Sequence, residues 1–169
     1  MNRRLDPSAF SRDFSSRILT ESDIPAILSL IKTNPQYEKA CGVSASEVSI
    51  REDLTLLPPG KTAADKFFLG FFQEEELVAL TDLILAYPDP GTAYLGLFMV
   101  KGNRSKKGIG TSLFGELCAS LKTAGFQTIC LAFQRDNPQS SHFWKKQGFI
   151  PIKEVSHPYG AMILAEKAL

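Results

Sequence analysis

The residues best suited to chemistry lie between Val100 and Thr111, in the run Val-Lys-Gly-Asn-Arg-Ser-Lys-Lys-Gly-Ile-Gly-Thr. Gly108 and Gly110 carry no Cβ, so the backbone there can turn several N–H groups toward one point. A helix opening at Ile109 adds the positive end of its dipole, and Arg104, Lys106 and Lys107 add mobile charge. Together these features make an anion site, and a pyrophosphate-bearing ligand suits it. Two nucleotide loops are excluded by the residues themselves. A Walker loop requires Gly-Lys-Ser/Thr, but Ile109 follows Gly108. The dinucleotide fingerprint requires a third glycine where Leu113 stands. The plain alternative is a solvated basic turn that contains two glycines by accident.

A second chemical candidate is Asp82, an acid inside the apolar run Val78–Leu85. It reads either as a base or amine anchor, or as a structural carboxylate paired to a neighbour. The other reactive types have plainer readings. Tyr87 and Tyr94 are strand aromatics suited to packing. His142 and His157 lack partners at metal-ligand spacing, so no metal is expected. Cys118 sits on an apolar helix face and Trp144 reads as core-lining. Lys145 and Lys146 read as a solvated helix face, and Glu74 to Glu76 as a hairpin tip.

These residues must be positioned by the elements around them. Ser16–Leu19 reads as a short strand, and Thr20 to Asp23 as a capping box before Ile24, Ile27, Leu28 and Ile31 at helical spacing. A second box, Ser44 to Glu47, opens a helix carrying Val48, Leu54 and Leu57, ended by Pro58. Three apolar runs, Lys66–Phe72, Leu77–Tyr87 and Thr92–Val100, are joined by short turns and predict an antiparallel meander. Ile109, Leu113, Leu117 and Leu121 then recur every four residues to Gly125. The strand Thr128–Phe133 that follows implies a right-handed crossover to a parallel neighbour. Asn137-Pro138 starts a helix that ends at Gly148, and Ile152–Val155 and Gly160–Ala165 close the chain as strands. The expectation is one α/β domain over 15–169 with a mixed central sheet flanked by helices, after a flexible polar arm at 1–14.

Composition narrows the class. A chain of 169 residues and 18.6 kDa, 44% hydrophobic and 22% charged, fits one globular domain. A net charge of +1 gives no global field for nucleic acid, and the 101–107 cluster lacks the interleaved aromatics of a strand-binding groove. No apolar run approaches the ~20 residues of a membrane span, and the first residues lack an apolar signal-peptide centre. Cys41, Cys118 and Cys130, odd in number and without CxxC spacing, suggest a reduced, cytoplasmic setting.

The order of elements and the glycine loop together resemble the GNAT superfamily of acyl-CoA-dependent N-acyltransferases, from about Arg17 to Ala165. Two blocks carry the likeness. Phe98-Met99-Val100 through Gly108-Ile109-Gly110 is similar to the family's strand, pyrophosphate loop and helix, and Asn137 through Phe149 to its later Asn…aromatic…Gly-Phe segment. The resemblance implies the GNAT fold, acetyl-CoA as cosubstrate, and direct attack of an amine on the thioester without an acyl-enzyme. It implies that Met99 and Val100 pair with the pantetheine arm, and that N–H groups from Lys106 to Thr111 hold the pyrophosphate. Asn137 and Phe143 would line the thiol end, with Lys101 or Arg104 at the ribose phosphate.

The sequence departs from the family pattern in three places. Ser105 stands where the loop normally begins with Gln or Arg, Trp144 where a tyrosine acid is usual, and Tyr94 where a base carboxylate is frequent. The substitutes expected are Asp82 as base or amine anchor and Tyr94 or Tyr159 as acid. The acceptor pocket is expected among residues 30–60 and near His157, where Tyr37, Glu38, Glu47, Glu52 and Asp53 could attract a cationic amine. The function expected is acetylation of a primary amine of a small molecule, with a non-catalytic acyl-CoA sensor as the alternative. The resemblance also allows a homodimer without marking an interface.

Overall fold

The computed structural model describes residues 5–104, 107–158 and 160–169. Among them a seven-stranded sheet runs in the order β1-β2-β3-β4-β5-β7-β6. The strands are β1 Ser15–Ile18, β2 Lys66–Gln73, β3 Glu76–Leu85, β4 Thr92–Val100, β5 Thr128–Gln134, β6 Ile150–Val155 and β7 Met162–Ala168. The helices are α1 Ile24–Lys32, α2 Pro35–Cys41, α3 Glu47–Thr55, α4 Ile109–Thr123 and α5 Pro138–Lys146. The expected meander is present as β2–β3–β4, and β5 joins β4 in parallel. The last strand, β7, inserts between β5 and β6 and runs antiparallel to both. This is the α/β sandwich anticipated, with helices on both faces.

Each face buries its own core. On one, α4 and α5 bring Leu113, Phe114, Leu117, Leu121 and Trp144 against Leu69, Phe71, Leu83 and Leu95. On the other, α1 and α3 bring Ile24, Ile27, Leu30 and Ile50 against Phe68, Leu80 and Met99. Alternation along the strands separates the two sets, as the two-residue period of a strand requires.

Three elements differ from the sequence reading. Residues 5–14, expected as a loose arm, are docked: Phe10 is 1% exposed in the α4 core, and the Arg12 N–H donates to Glu116 of α4 at 3.0 Å. A lone aromatic in a polar stretch gives no periodic signal, yet one buried Phe holds the segment down. The second capping box sits two residues later than expected. Ser46 accepts from the Ser49 N–H at 3.1 Å while Ser49 accepts from the Ser46 N–H at 2.9 Å. Finally, α2 was not anticipated, although Asn34-Pro35 announces it as Asn137-Pro138 announces α5.

The end of β4 is clamped by the end of α1. The Gly102 N–H donates to Thr33 Oγ1 at 2.8 Å, and the Asn34 amide donates to the Val100 carbonyl at 3.1 Å. A Cβ on Gly102 would lie 2.1 Å from the Thr33 carbonyl oxygen, so only glycine fits this crossing. Gly115, inside α4, has nothing within 4 Å of an added Cβ. Gly102→Ala should therefore lower unfolding free energy by about 2 kcal/mol through forced separation of backbone, whereas Gly115→Ala should raise it by up to about 1 kcal/mol through helix propensity. Urea denaturation of the two variants beside the wild type checks both signs.

Candidate active site

The site is built where two neighbouring strands part. β4 and β5 are paired from Thr92↔Thr128 to Leu95↔Leu131, and no pairing between them continues beyond that point among the described residues. β4 stays on β3 to its end, but with a bulge: Leu83 pairs Leu95 and Asp82 pairs Leu97, so Gly96 is the extra residue. Beyond the bulge the strand alternation is fixed from both sides. The Lys101 N–H points to Val78 of β3, while the Val100 carbonyl is met by Asn34 from the other side. Phe98 and Val100 therefore turn their backbone groups into the gap, whereas Met99, expected to pair with the pantetheine arm, turns its own toward β3.

The gap opens into a cleft of 560 Å³ between the start of α4 and the length of α5. Phe98, Met99, Val100, Gly108, Gly110, Thr111, Asn137 and Phe143, all expected as ligand-binding residues, line it together. Gly108 takes φ +76°, the left-handed region, and is followed by a helix that carries no side-chain cap. In α3 and α5 the same position is capped by Ser46 and Asn137. The uncapped N-terminus of α4 thus presents backbone N–H groups and a helix dipole to the cleft, a fit for a pyrophosphate. Gly110 lies under the same wall, where an added Cβ would touch Val100 and Phe143 at 3.5 and 3.7 Å. Ile109 faces the core instead.

The cations divide. Arg104 and Lys101 bind Glu76 at 2.9 and 2.7 Å, and Arg104 also donates to Gln73. They tie the loop to the β2–β3 hairpin rather than point into the cleft, and Lys101 holds the Glu76 carboxyl below its usual range. Glu76 is thereby more than a hairpin tip. Lys107 is exposed beside Gly108, and Lys146, read from sequence as solvated face, lines the cleft. Lys106 and Tyr159 lie outside the described residues.

At its inner end the cleft meets a second cavity of 240 Å³ lined by Leu95, Gly96, Phe98, Tyr37, Cys41 and His157, among others. Tyr37, Phe98, Asn137, Ser140 and Trp144 line both spaces and form their junction. Behind Gly96 lies Asp82, whose Oδ2 would be 3.4 Å from a Cβ at that position. Asp82 accepts from Lys66 at 2.9 Å, and Lys66, its side chain only 6% exposed, also donates to the Leu56 carbonyl. The second Asp82 oxygen, Oδ1, is buried with no hydrogen-bond partner among the described residues. Burial pushes the Asp82 carboxyl up, against the pull of Lys66, and the charge of nearby Asp53 pushes it further. Asp53 is raised as well, by desolvation and then offset by the same lysine. Asp82 is thus paired to a buried ammonium behind the inner cavity, while the exposed Asp53 acts on both only through its charge.

Tyr94 is not among the residues lining either space. It packs edge-on against Tyr87 at 5.8 Å, and burial raises its phenol. Trp144 sits in an aromatic wall, 5.9 Å from Phe98, 5.4 Å from Phe114 and 4.8 Å from Phe143. Sequence reasoning placed Tyr37 only in a broad acceptor region. The Asn-Pro pair that opens α2 was the signal that would have aimed it at the cleft.

The family model described as the acetyltransferase (GNAT) family matches residues 33–149. Among solved structures, an acetyltransferase from Thermus thermophilus aligns with a TM-score of 0.76 at 20% identity, covering 94% of this chain and 98% of that one. The PaiA N-acetyltransferase of Thermoplasma acidophilum, in complex with coenzyme A, aligns at 0.68 and 19% identity over 94% and 100%. A ribosomal-protein-alanine N-acetyltransferase of Brucella melitensis aligns at 0.65 and 20% identity over 91% and 99%. The search of curated proteins finds no match.

The paired lysine bears on the state of Asp82. Lys66→Met should leave Asp82 without its partner, raise its carboxyl further and destabilise the fold by about 2 to 3 kcal/mol at pH 7. The loss should shrink toward pH 5, because a protonated Asp82 no longer carries a buried charge. Denaturation of wild type and variant at both pH values checks the size and the sign.

Proposed function

The chain belongs to the acetyltransferase (GNAT) family, and we propose that it acetylates the primary amine of a small molecule by direct attack, without an acyl-enzyme. As a family member it is an acyltransferase, and acetyl-CoA is its cosubstrate. In this reading the start of α4 holds the pyrophosphate, and the free edge of β4 at Phe98 and Val100 takes the pantetheine arm as an added strand. The thioester is then carried to the junction at Tyr37 and Trp144, where the inner cavity admits the amine.

One observation carries the acceptor class: Asp82 lies directly behind Gly96, which lines the inner cavity. A carboxylate there favours a cationic ammonium, and the cavity of 240 Å³ suits a small body better than a folded chain. Asp82 holds and then takes the proton that an amine must lose before it attacks, directly or through one water, by way of the unobstructed position at Gly96. A backbone N–H at Phe98 supports the charge that develops on the carbonyl oxygen. The free thiols Cys41, Cys118 and Cys130 support a reduced, cytoplasmic setting. No helix among the described residues is long and apolar enough to cross a membrane.

Calorimetric titration with CoA tests the first half. Wild type should bind in the micromolar range, about −8 kcal/mol. Gly108→Asn, which keeps a residue tolerant of positive φ, should bind within a few fold. Gly108→Asp adds only a charge and should bind at least about tenfold more weakly. An acceptor panel of small amines tests the second half, and CoA binding without turnover on any of them would mark a sensor instead. With the amine found, Asp82→Asn should cut kcat by about a hundredfold or more. The wild-type rate should fall with acid at a pH above the ordinary carboxylate range. Burial raises Asp82, and the base works only when ionised.

A further inference from the structure

Among the described residues α5 has no phenol facing the cleft. Trp144 occupies the wall there, and an indole N–H is no practical proton donor. Yet a thiolate leaving an acyl carbon is helped by a donor at its sulfur. Of the described tyrosines, Tyr87 and Tyr94 pack against each other away from both spaces, while Tyr37 lines the cleft and the inner cavity alike. We propose that Tyr37, on α2, is the catalytic residue whose phenol donates a hydrogen bond to the departing sulfur, across the cleft from the wall that Trp144 fills. This rests on the acyl-transfer reading above.

The surroundings of Tyr37 suit the task. Tyr37 is 37% exposed and lines both cavities. Its start is fixed by Asn34, whose amide grips the Val100 carbonyl, so α2 is registered on the same strand that borders the gap. The groups around the phenol are Cys41 on its own helix, Asp53 on α3, and His157 from the β6–β7 loop at the inner cavity. Burial, then the two neighbours Cys41 and Asp53, push the phenol above its usual range, so it stays protonated through neutral and mildly alkaline pH. A donor of that kind forms a hydrogen bond that strengthens as negative charge builds on the sulfur.

The step balances without another reagent. The amine nitrogen forms its bond to the acyl carbon and the carbon–sulfur bond breaks. Starting from the ammonium, the nitrogen gives two protons to Asp82, one before attack and one as the amide forms, and Asp82 passes each to solvent. The sulfur leaves as a thiolate held by the Tyr37 hydroxyl and takes one proton from water through the open cleft, so the net products are the amide, CoA thiol and one proton.

The test needs no acceptor. CoA is bound to wild type, Tyr37→Phe and Tyr94→Phe, and its thiol is titrated by the far-ultraviolet absorbance of the thiolate. Matching complexes with desulfo-CoA are subtracted to remove the protein's own cysteines. The wild type and Tyr94→Phe complexes should form thiolate at a pH about one unit below that of Tyr37→Phe, with CoA affinities within a few fold of one another. Installing a phenol opposite, in the double variant Tyr37→Phe with Trp144→Tyr, should bring the titration back down. Equal titration of wild type and Tyr37→Phe, both binding CoA, overturns the role of Tyr37 while leaving acyl transfer standing. Failure of folded wild type to bind CoA overturns both.

Discussion

The whole arrangement turns on backbone hydrogen bonds that the sheet forgoes. Parallel strands β4 and β5 stay paired only as far as Leu95 and Leu131. Past that point the groups of Phe98 and Val100 need partners, since a buried peptide group left unpaired costs as much as a lost hydrogen bond. Asn34 supplies one of them from outside the sheet. The remainder is available to an extended ligand, which is why a strand edge inside the molecule, rather than at its rim, can serve as a docking line. The bulge at Gly96 stands at the parting and removes a side chain where the gap begins. The starts of α2, α4 and α5 converge on the same gap.

Charge is distributed across this gap with opposite signs at its two ends. Toward α4 the positive potential comes from the peptide dipoles together with Lys107 and Lys146, because Glu76 holds Lys101 and Arg104. A fixed backbone donor array discriminates by geometry where mobile lysines would only attract, which makes the departure at Ser105 less costly than its position suggests. Behind Gly96 the balance reverses: Lys66 pairs Asp82, Asp53 adds a second negative charge nearby, and Asp82 keeps a buried oxygen without a donor among the described residues.

The sequence made the local parts readable and the assembled parts opaque. The glycine loop, the α4 stripe from Ile109 to Leu121 and the Asn137 cap are encoded within a turn or two of chain, and each stands where its residues indicated. The pairing of Lys66 with Asp82 depends on sheet register across sixteen positions, |i−j|=16, and no spacing rule announces it. The same holds for Phe10, whose burial is decided by α4 and β2 rather than by its polar neighbours. Arg104 was assigned to a ligand because its type and place suited one, but Glu76 of a neighbouring hairpin reaches it first. Local pattern reports what a residue can do, and tertiary neighbours decide what it is free to do.

Trp144 shows how a fold can change one wall of a site without losing the chemistry between the walls. Its indole packs edge-on with Phe98, Phe114, Phe143 and Phe149, closing the α5 side against water. A drier wall protects a thioester from hydrolysis and strengthens every electrostatic contact made nearby. What the wall then lacks is a proton donor. A leaving sulfur does not distinguish which side the donor comes from, only whether it lies within reach. The gap between β4 and β5 has two sides: α2 begins at Asn34, whose amide meets the Val100 carbonyl of β4, and α5 is packed on the core through Trp144. The aromatic wall and the phenol on the opposite helix are therefore two halves of one solution, in which exclusion of water and donation of a hydrogen bond are divided between different elements.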